Sequence, residues 1–169
     1  EYIILKGHKN ELIDFFETLN NDLNTAKIEI IDMGNIIWVV QIFFKSLIEV
    51  PKNIEKIASL LELTIHSHSI KLLPEELGSF NNIKKLTINC PNIKKLPEKI
   101  CNLSNLLYLS ISFIYLESLP QDINRLTKLT TLHLECNEDG RFFYENPFKV
   151  LDQLPAKITS LFNLKELRL

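Results

Sequence analysis

The chain has 169 residues, of which 46% are hydrophobic, and a formal net charge of −2. That supplies apolar material for one core, and without a basic arm it argues against a nucleic-acid partner. A bilayer span needs about 18 to 20 consecutive apolar residues, and the apolar stretch Ile36–Phe44 falls far short of that.

From the N-terminus, Tyr2–Leu5 reads as a short strand. Leu12, Phe15, Phe16, Leu19 and Leu23 then recur at helical spacing, with Asn10 as the expected N-cap. Lys27–Asp32 and the segment from Ile37 flank Met33-Gly34-Asn35, a turn signal that predicts a β-hairpin.

From Val50 onward one phrase repeats, beginning at Val50, Leu73, Leu96, Leu119 and Leu154. The first four starts are 23 residues apart, and the last follows after 35, which is 23 plus 12. Counting each start as zero, apolar residues occupy offsets 0, 4, 7, 10, 13 and 15, and all thirty such sites are apolar. Proline stands at offset 1 each time, as Pro51, Pro74, Pro97, Pro120 and Pro155. The L-x-L at offsets 13 and 15 predicts a strand whose leucines point one way and whose intervening residues point the other. Proline ends the segment beyond it, and I-x-x-L spacing suits a 3₁₀ turn. One such strand cannot bury its apolar side alone, so coils must stack about 4.8 Å apart over a continuous core. Stepping back 23 residues from Val50 finds a worn copy in Ile37, Val40, Ile42 and Leu47.

These phrases resemble the leucine-rich repeat family in its form L-x-x-L-P-x-x-I-x-x-L-x-x-L-x-x-L-x-L, which is common in bacterial proteins, including those of pathogenic spirochaetes, and in animal Ras-binding scaffolds. The resemblance covers residues 50–169. It implies an α/β solenoid, a horseshoe with short parallel strands on its concave face, and protein–protein recognition without catalysis. Residues 1–49, with the helix, the hairpin and the worn repeat, are expected to form an N-terminal α/β cap over the first coil. The resemblance and the start at Glu1 lean toward an exported or surface-associated bacterial protein, with the cytoplasm as the alternative. The family's asparagine at offset 18 is replaced by His68, Pro91 and Ile114, with Asn137 in the fourth coil, so irregular turns are expected on that edge.

Read by column, offset 12 holds Glu62, Lys85, Tyr108, Thr131 and Glu166. Offset 14 holds Thr64, Thr87, Ser110, His133 and Arg168, and offset 16 holds His66, Asn89, Ser112 and Glu135. The third repeat adds Phe113 and Tyr115 to Tyr108, an aromatic group that either anchors a partner or fills the edge left without its asparagine. The 12-residue insertion, around 138–150, carries Phe142, Phe143, Tyr144 and Phe148. Those rings either pack on the neighbouring coil or await a partner. The expected protein-binding residues are therefore Tyr108, Ser110, Phe113, Tyr115, His133, Glu135, Phe142, Phe143 and Tyr144.

Other chemistry finds little footing. Ser110 and His133 share offset 14 in adjacent coils, about 5 Å apart, with Glu135 on the same face. No oxyanion hole accompanies them, and a flat strand surface excludes no water. His66-x-His68 lacks a third metal ligand nearby, and the four glycines form no phosphate loop. No cofactor is called for. Cys90 and Cys136 lie two coils apart, roughly 10 Å, too far to bridge. The chain stops at Leu169 inside its fifth strand. That leaves two alternatives to a free-standing binding module: a recognition fragment of a larger bacterial effector or enzyme, and a structural protein that self-associates through an uncapped last repeat.

Overall fold

The computed structural model describes residues 2–19, 25–32, 37–44, 49–136 and 154–169. Five short strands recur at the repeat spacing: Glu62–His66, Lys85–Asn89, Tyr108–Phe113, Thr131–Cys136 and Glu166–Arg168, here called β4 to β8. Ahead of them come β1 (Tyr2–His8), a helix α1 (Lys9–Leu19), β2 (Thr25–Asp32) and β3 (Ile37–Phe44). All eight strands form one sheet in the order β2-β3-β1-β4-β5-β6-β7-β8.

β4 to β8 run parallel, and their register follows the 23-residue phase. Leu63 pairs with Leu86, Leu86 with Leu109, and Leu109 with Leu132; Ile65, Ile88, Ile111 and Leu134 make the second row. Both rows are buried, so the alternation of the L-x-L signal becomes two continuous apolar ladders inside the solenoid.

The opposite wall explains the threefold spacing of the other leucines. Each phrase's proline has no N–H to donate, and its carbonyl accepts the N–H of the residue at offset 4: Pro51 from Ile54, Pro74 from Leu77, Pro97 from Ile100, Pro120 from Ile123 and Pro155 from Ile158, at 2.9 to 3.2 Å. In the third coil Leu103 then bonds Ile100 and Leu106 bonds Leu103, each again three residues back. A run of i to i+3 bonds stacks offsets 4, 7 and 10 on one side, and that side is buried in the first four coils.

Edge residues tie coil to coil. Asn82, Asn105 and Asn163, all at offset 9, donate their side-chain amides to the carbonyls of Ala58, Asn81 and Thr127 in the preceding coil. The other edge, expected to be irregular, is bonded despite the missing asparagines. Ser67 Oγ accepts from the Ser69 and Ile70 N–H groups, Asn92 Nδ2 donates to the His68 carbonyl, and Cys90, Ile114 and Glu117 donate N–H bonds to the adjoining coil. Backbone pairing does there what a single side chain does in the family pattern.

The N-terminal part differs from the repeat phase in one respect. Register places the segment at 37–42 directly beside β4; instead β1 lies there, antiparallel to β4 on one side and to β3 on the other. Ile3 faces Ile65 and Leu5 faces Leu63, so a strand of opposite direction still extends both ladders, because side-chain alternation is the same either way. α1 begins at Lys9, one residue before the expected cap Asn10. It buries Leu12 and Phe15, and its Glu11 carboxylate accepts the Ser59 N–H at 2.7 Å. Ser59 Oγ in turn accepts from the His8 N–H at 2.9 Å, binding strand, helix and first coil together.

At the β8 end, Leu167 and Leu169 are exposed, although the same offsets are buried in the four coils before them. Leu23, the turn 33–35, Leu47, Asn137 and the insertion lie outside the described residues. Cys90 and Cys101 are buried and Cys136 is exposed. Burial, aided by Glu98 and Asp122, raises the Cys101 thiol to about 11, so it stays protonated and inert near neutral pH. Among the described residues, no helix is long and apolar enough to cross a membrane.

Candidate functional site

Because residues 63 and 65 and their counterparts point inward, offsets 12, 14 and 16 must point to the other side of β4 to β8. The pairing Lys85↔Tyr108↔Thr131↔Glu166 and Thr87↔Ser110↔His133↔Arg168 sets those columns side by side across four strands.

Within that field one chain of contacts is continuous. The Lys85 ammonium lies 5.0 Å from the centre of the Tyr108 ring, a cation–π arrangement. Tyr108 meets His133 edge to face, ring centroids 5.3 Å apart, and its hydroxyl shares a hydrogen bond with Nδ1 at 3.3 Å. Nε2 of His133 lies 3.1 Å from Glu166 Oε1, which is also 3.2 Å from Arg168 Nε. The line Lys85–Tyr108–His133–Glu166–Arg168 thus crosses β5, β6, β7 and β8.

His133 is unusual within it. The residue is only 8% exposed, and Nε2 is shielded without a hydrogen bond, because Glu166 Oε1 lies 3.1 Å away but is not aligned as an acceptor. A buried polar atom left so costs about 1–3 kcal/mol. Both ring nitrogens face groups other than Ser110, so the Ser110 hydroxyl has no base aligned on it. Glu135 is exposed and paired in register with Ser112.

A second cluster sits at the β1 end. Tyr2 stacks on His66 with centroids 4.8 Å apart and planes 4° from parallel, and His68 meets His66 edge to face at 5.2 Å. Four residues along the same strand pair, Lys6 Nζ donates to Glu62 Oε1 at 2.6 Å. Among the described residues, no three His, Cys, Asp or Glu side chains are placed to hold a metal ion.

The expected site residues separate on this frame. Tyr108, Ser110 and His133 meet on the strand face, with Glu135 two residues along β7. Phe113 does not: it is 2% exposed and fills the core, and this corrects its place among the contact residues. Ser67 and Cys90 at the same offset are buried too, as alternation carried past offset 15 would place them, whereas Cys136 at that offset in the fourth coil is exposed. Tyr115 is 45% exposed but lies beyond the end of β6, roughly 20 Å along the chain from Tyr108 at about 3.3 Å per residue. The three aromatics therefore form no single patch. Phe142, Phe143 and Tyr144 lie outside the described residues. Lys85, Glu166, Arg168 and Tyr2 join the clusters without having been singled out by residue type. Register alone could have found the first three, because each shares a column with Tyr108 or His133.

No protein-family model matches the chain, and no curated protein sequence matches it. Among solved structures it is similar to the plant peptide hormone receptor RGFR1 in complex with RGF2, at 24% identity and a TM-score of 0.49 over 72% of this chain. It is also similar to a leucine-rich repeat protein of Leptospira interrogans, at 28% identity and a TM-score of 0.47 over 75% of this chain. The chain spans 18% of the length of the first and 41% of the second.

Proposed function

We propose that this leucine-rich repeat solenoid is a non-catalytic module that binds another protein on the solvent face of its parallel strands. The observation that carries the reading is the contact line Lys85–Tyr108–His133–Glu166–Arg168. It holds an aromatic ring, two cationic side chains and a carboxylate in place before any partner arrives. Preorganised aromatic and charged anchors amid small polar neighbours such as Thr87 and Ser110 are the usual make-up of a binding hot spot. In this reading the strand face is the concave side of a horseshoe, residues 50–169 are the recognition array, and residues 1–49 cap its first coil. Ser110, His133, Glu135 and Tyr108 form the central contacts, while Tyr115 and the insertion with Phe142, Phe143 and Tyr144 widen the surface at its edge.

Paired capture from lysate tests this. One bait is the wild-type chain, a second carries Lys85→Ala and Tyr108→Ala, and a third carries Glu98→Ala and Arg125→Ala, exposed on the 3₁₀ turns. All three are first checked for folding by circular dichroism. Loss of a hot-spot anchor costs about 2 kcal/mol or more, roughly thirtyfold in affinity, so a partner held by the first and third baits and lost from the second is expected. Equal capture by all three contradicts the site.

A further inference from the structure

Resting on that reading, we infer that the seat formed by His133 Nε2 and Arg168 recognises a carboxylate of the bound protein, and that Glu166 occupies this seat in the free chain. Glu166 Oε1 lies between the two groups, 3.1 Å from the imidazole nitrogen and 3.2 Å from the guanidinium. It fills the place poorly: Nε2 of a ring more than nine-tenths buried keeps no hydrogen bond. The Tyr108 hydroxyl and Nδ1 share a hydrogen bond at 3.3 Å; in the tautomer that lets the hydroxyl donate, the ring proton sits on Nε2, facing the acceptor position. An unmet donor beside an exposed guanidinium is a seat built for a carboxylate better aligned than the one now there.

The occupant is also easy to displace. Glu166 stands on β8, which pairs with β7 over three residues, and its side chain is 46% exposed and that of Arg168 65%. Arg168 touches Glu166 through Nε, and among the described residues its two terminal amino groups meet no other carboxylate. Groups facing the seat from the neighbouring strands are Tyr108 and Ser110 on β6, Thr131 and Glu135 on β7, and Lys85 beyond the Tyr108 ring on β5. Glu135 opposes a second negative charge from roughly 7 Å along β7, while Lys85 and Arg168 attract one from both sides. Once Glu166 swings out, the local balance favours an anion. The free chain thus carries its own weak competitor, which a ligand's carboxylate replaces in kind.

The test is a titration of the full chain, with the His133 ring followed by NMR. Three probes are used: glutamate capped at both ends, glutamine capped at both ends, and N-acetyl-alanine with its free C-terminal carboxylate. A saturable shift of the His133 signals with capped glutamate and none with capped glutamine is expected. Glu166→Gln tightens the response about tenfold by removing the competitor, and Arg168→Gln weakens it by about as much. A response to N-acetyl-alanine as well marks a C-terminal carboxylate as an equal source, and no response assigns the seat to acidic side chains. Equal shifts with capped glutamate and glutamine, or the same half-saturation in Arg168→Gln, overturn the inference. Such a failure, with capture still lost in the Lys85 and Tyr108 variant, leaves the binding face standing and removes only its carboxylate preference.

Discussion

Leu109→Ala is expected to destabilise the protein by about 2–5 kcal/mol, the span for a leucine deleted from a close-packed core. The upper part of that span applies because the site cannot collapse. Leu109 is fully buried, and its strand is pinned in register on both sides, to Leu86 and to Leu132. A chain of this size loses roughly 2–4 °C per kcal/mol, so the midpoint of thermal unfolding should fall by roughly 4–20 °C. Leu167→Ala at the same repeat offset is the matched control. Leu167 is 43% exposed and sits on the three-residue β8, so its loss should cost less than about 1 kcal/mol. Calorimetry on both variants reads the difference directly. Equal losses would mean that the β8 coil is as well packed as the third, contrary to the fold described above.

Gly78→Ala carries the second large effect. A Cβ built on Gly78 would lie 2.1 Å from the carbonyl oxygen of Lys99 and 2.4 Å from its carbon, and backbone cannot step aside as a side chain can. The second and third coils must part for the methyl to fit, and the cost should reach about 1–3 kcal/mol or beyond. Gly7→Ala is the contrast. There the added carbon meets Ser59 Oγ at 3.4 Å, Leu60 Cα at 3.5 Å and Ile57 Cγ2 at 3.6 Å, ordinary contact distances inside the first coil. Alanine at Gly7 should stay within about 1 kcal/mol of wild type, aided by lower chain entropy in the unfolded state. Urea unfolding of both variants separates a glycine demanded by close approach from one that merely occupies a strand. A neutral Gly78→Ala would show that the coils sit farther apart than described.

These substitutions mark where sequence pattern suffices and where it does not. The ladder containing Leu109 was legible, because a fixed period combined with side-chain alternation assigns every inward residue and every strand partner. The pairing of Ser110 with His133 followed from the same arithmetic. The need for glycine at 78 was not legible, since the other coils place Glu55, Cys101, Asn124 and Thr159 at that offset. It arises from how close one turn lies to the backbone of the next. The position of β1 was also hidden. Alternating Ile3 and Leu5 announce a strand with one buried side, but they do not say which neighbour it joins or in which direction. Phe113 shows a signal open to two readings, partner anchor or edge filler: the inward count continues two residues past Ile111 and the ring follows it into the core, although Cys136 at the same offset does not. The contact line from Lys85 to Arg168 required side-chain reach as well as register, and four strands had to be set edge to edge before it became visible.

The most direct test of a binding role for the strand face is site-specific photocrosslinking. A benzophenone amino acid is placed at Thr87, on the strand face in the column of Ser110 and one column from Lys85, and in a second protein at Asn81, exposed just past the second coil's 3₁₀ turn. Both are irradiated in the same lysate at matched concentration. The account predicts one discrete crosslinked protein from position 87, reduced by Tyr108→Ala in the same chain, and none of that species from position 81. The same product from both positions, or a product from position 87 that Tyr108→Ala leaves unchanged, would contradict it.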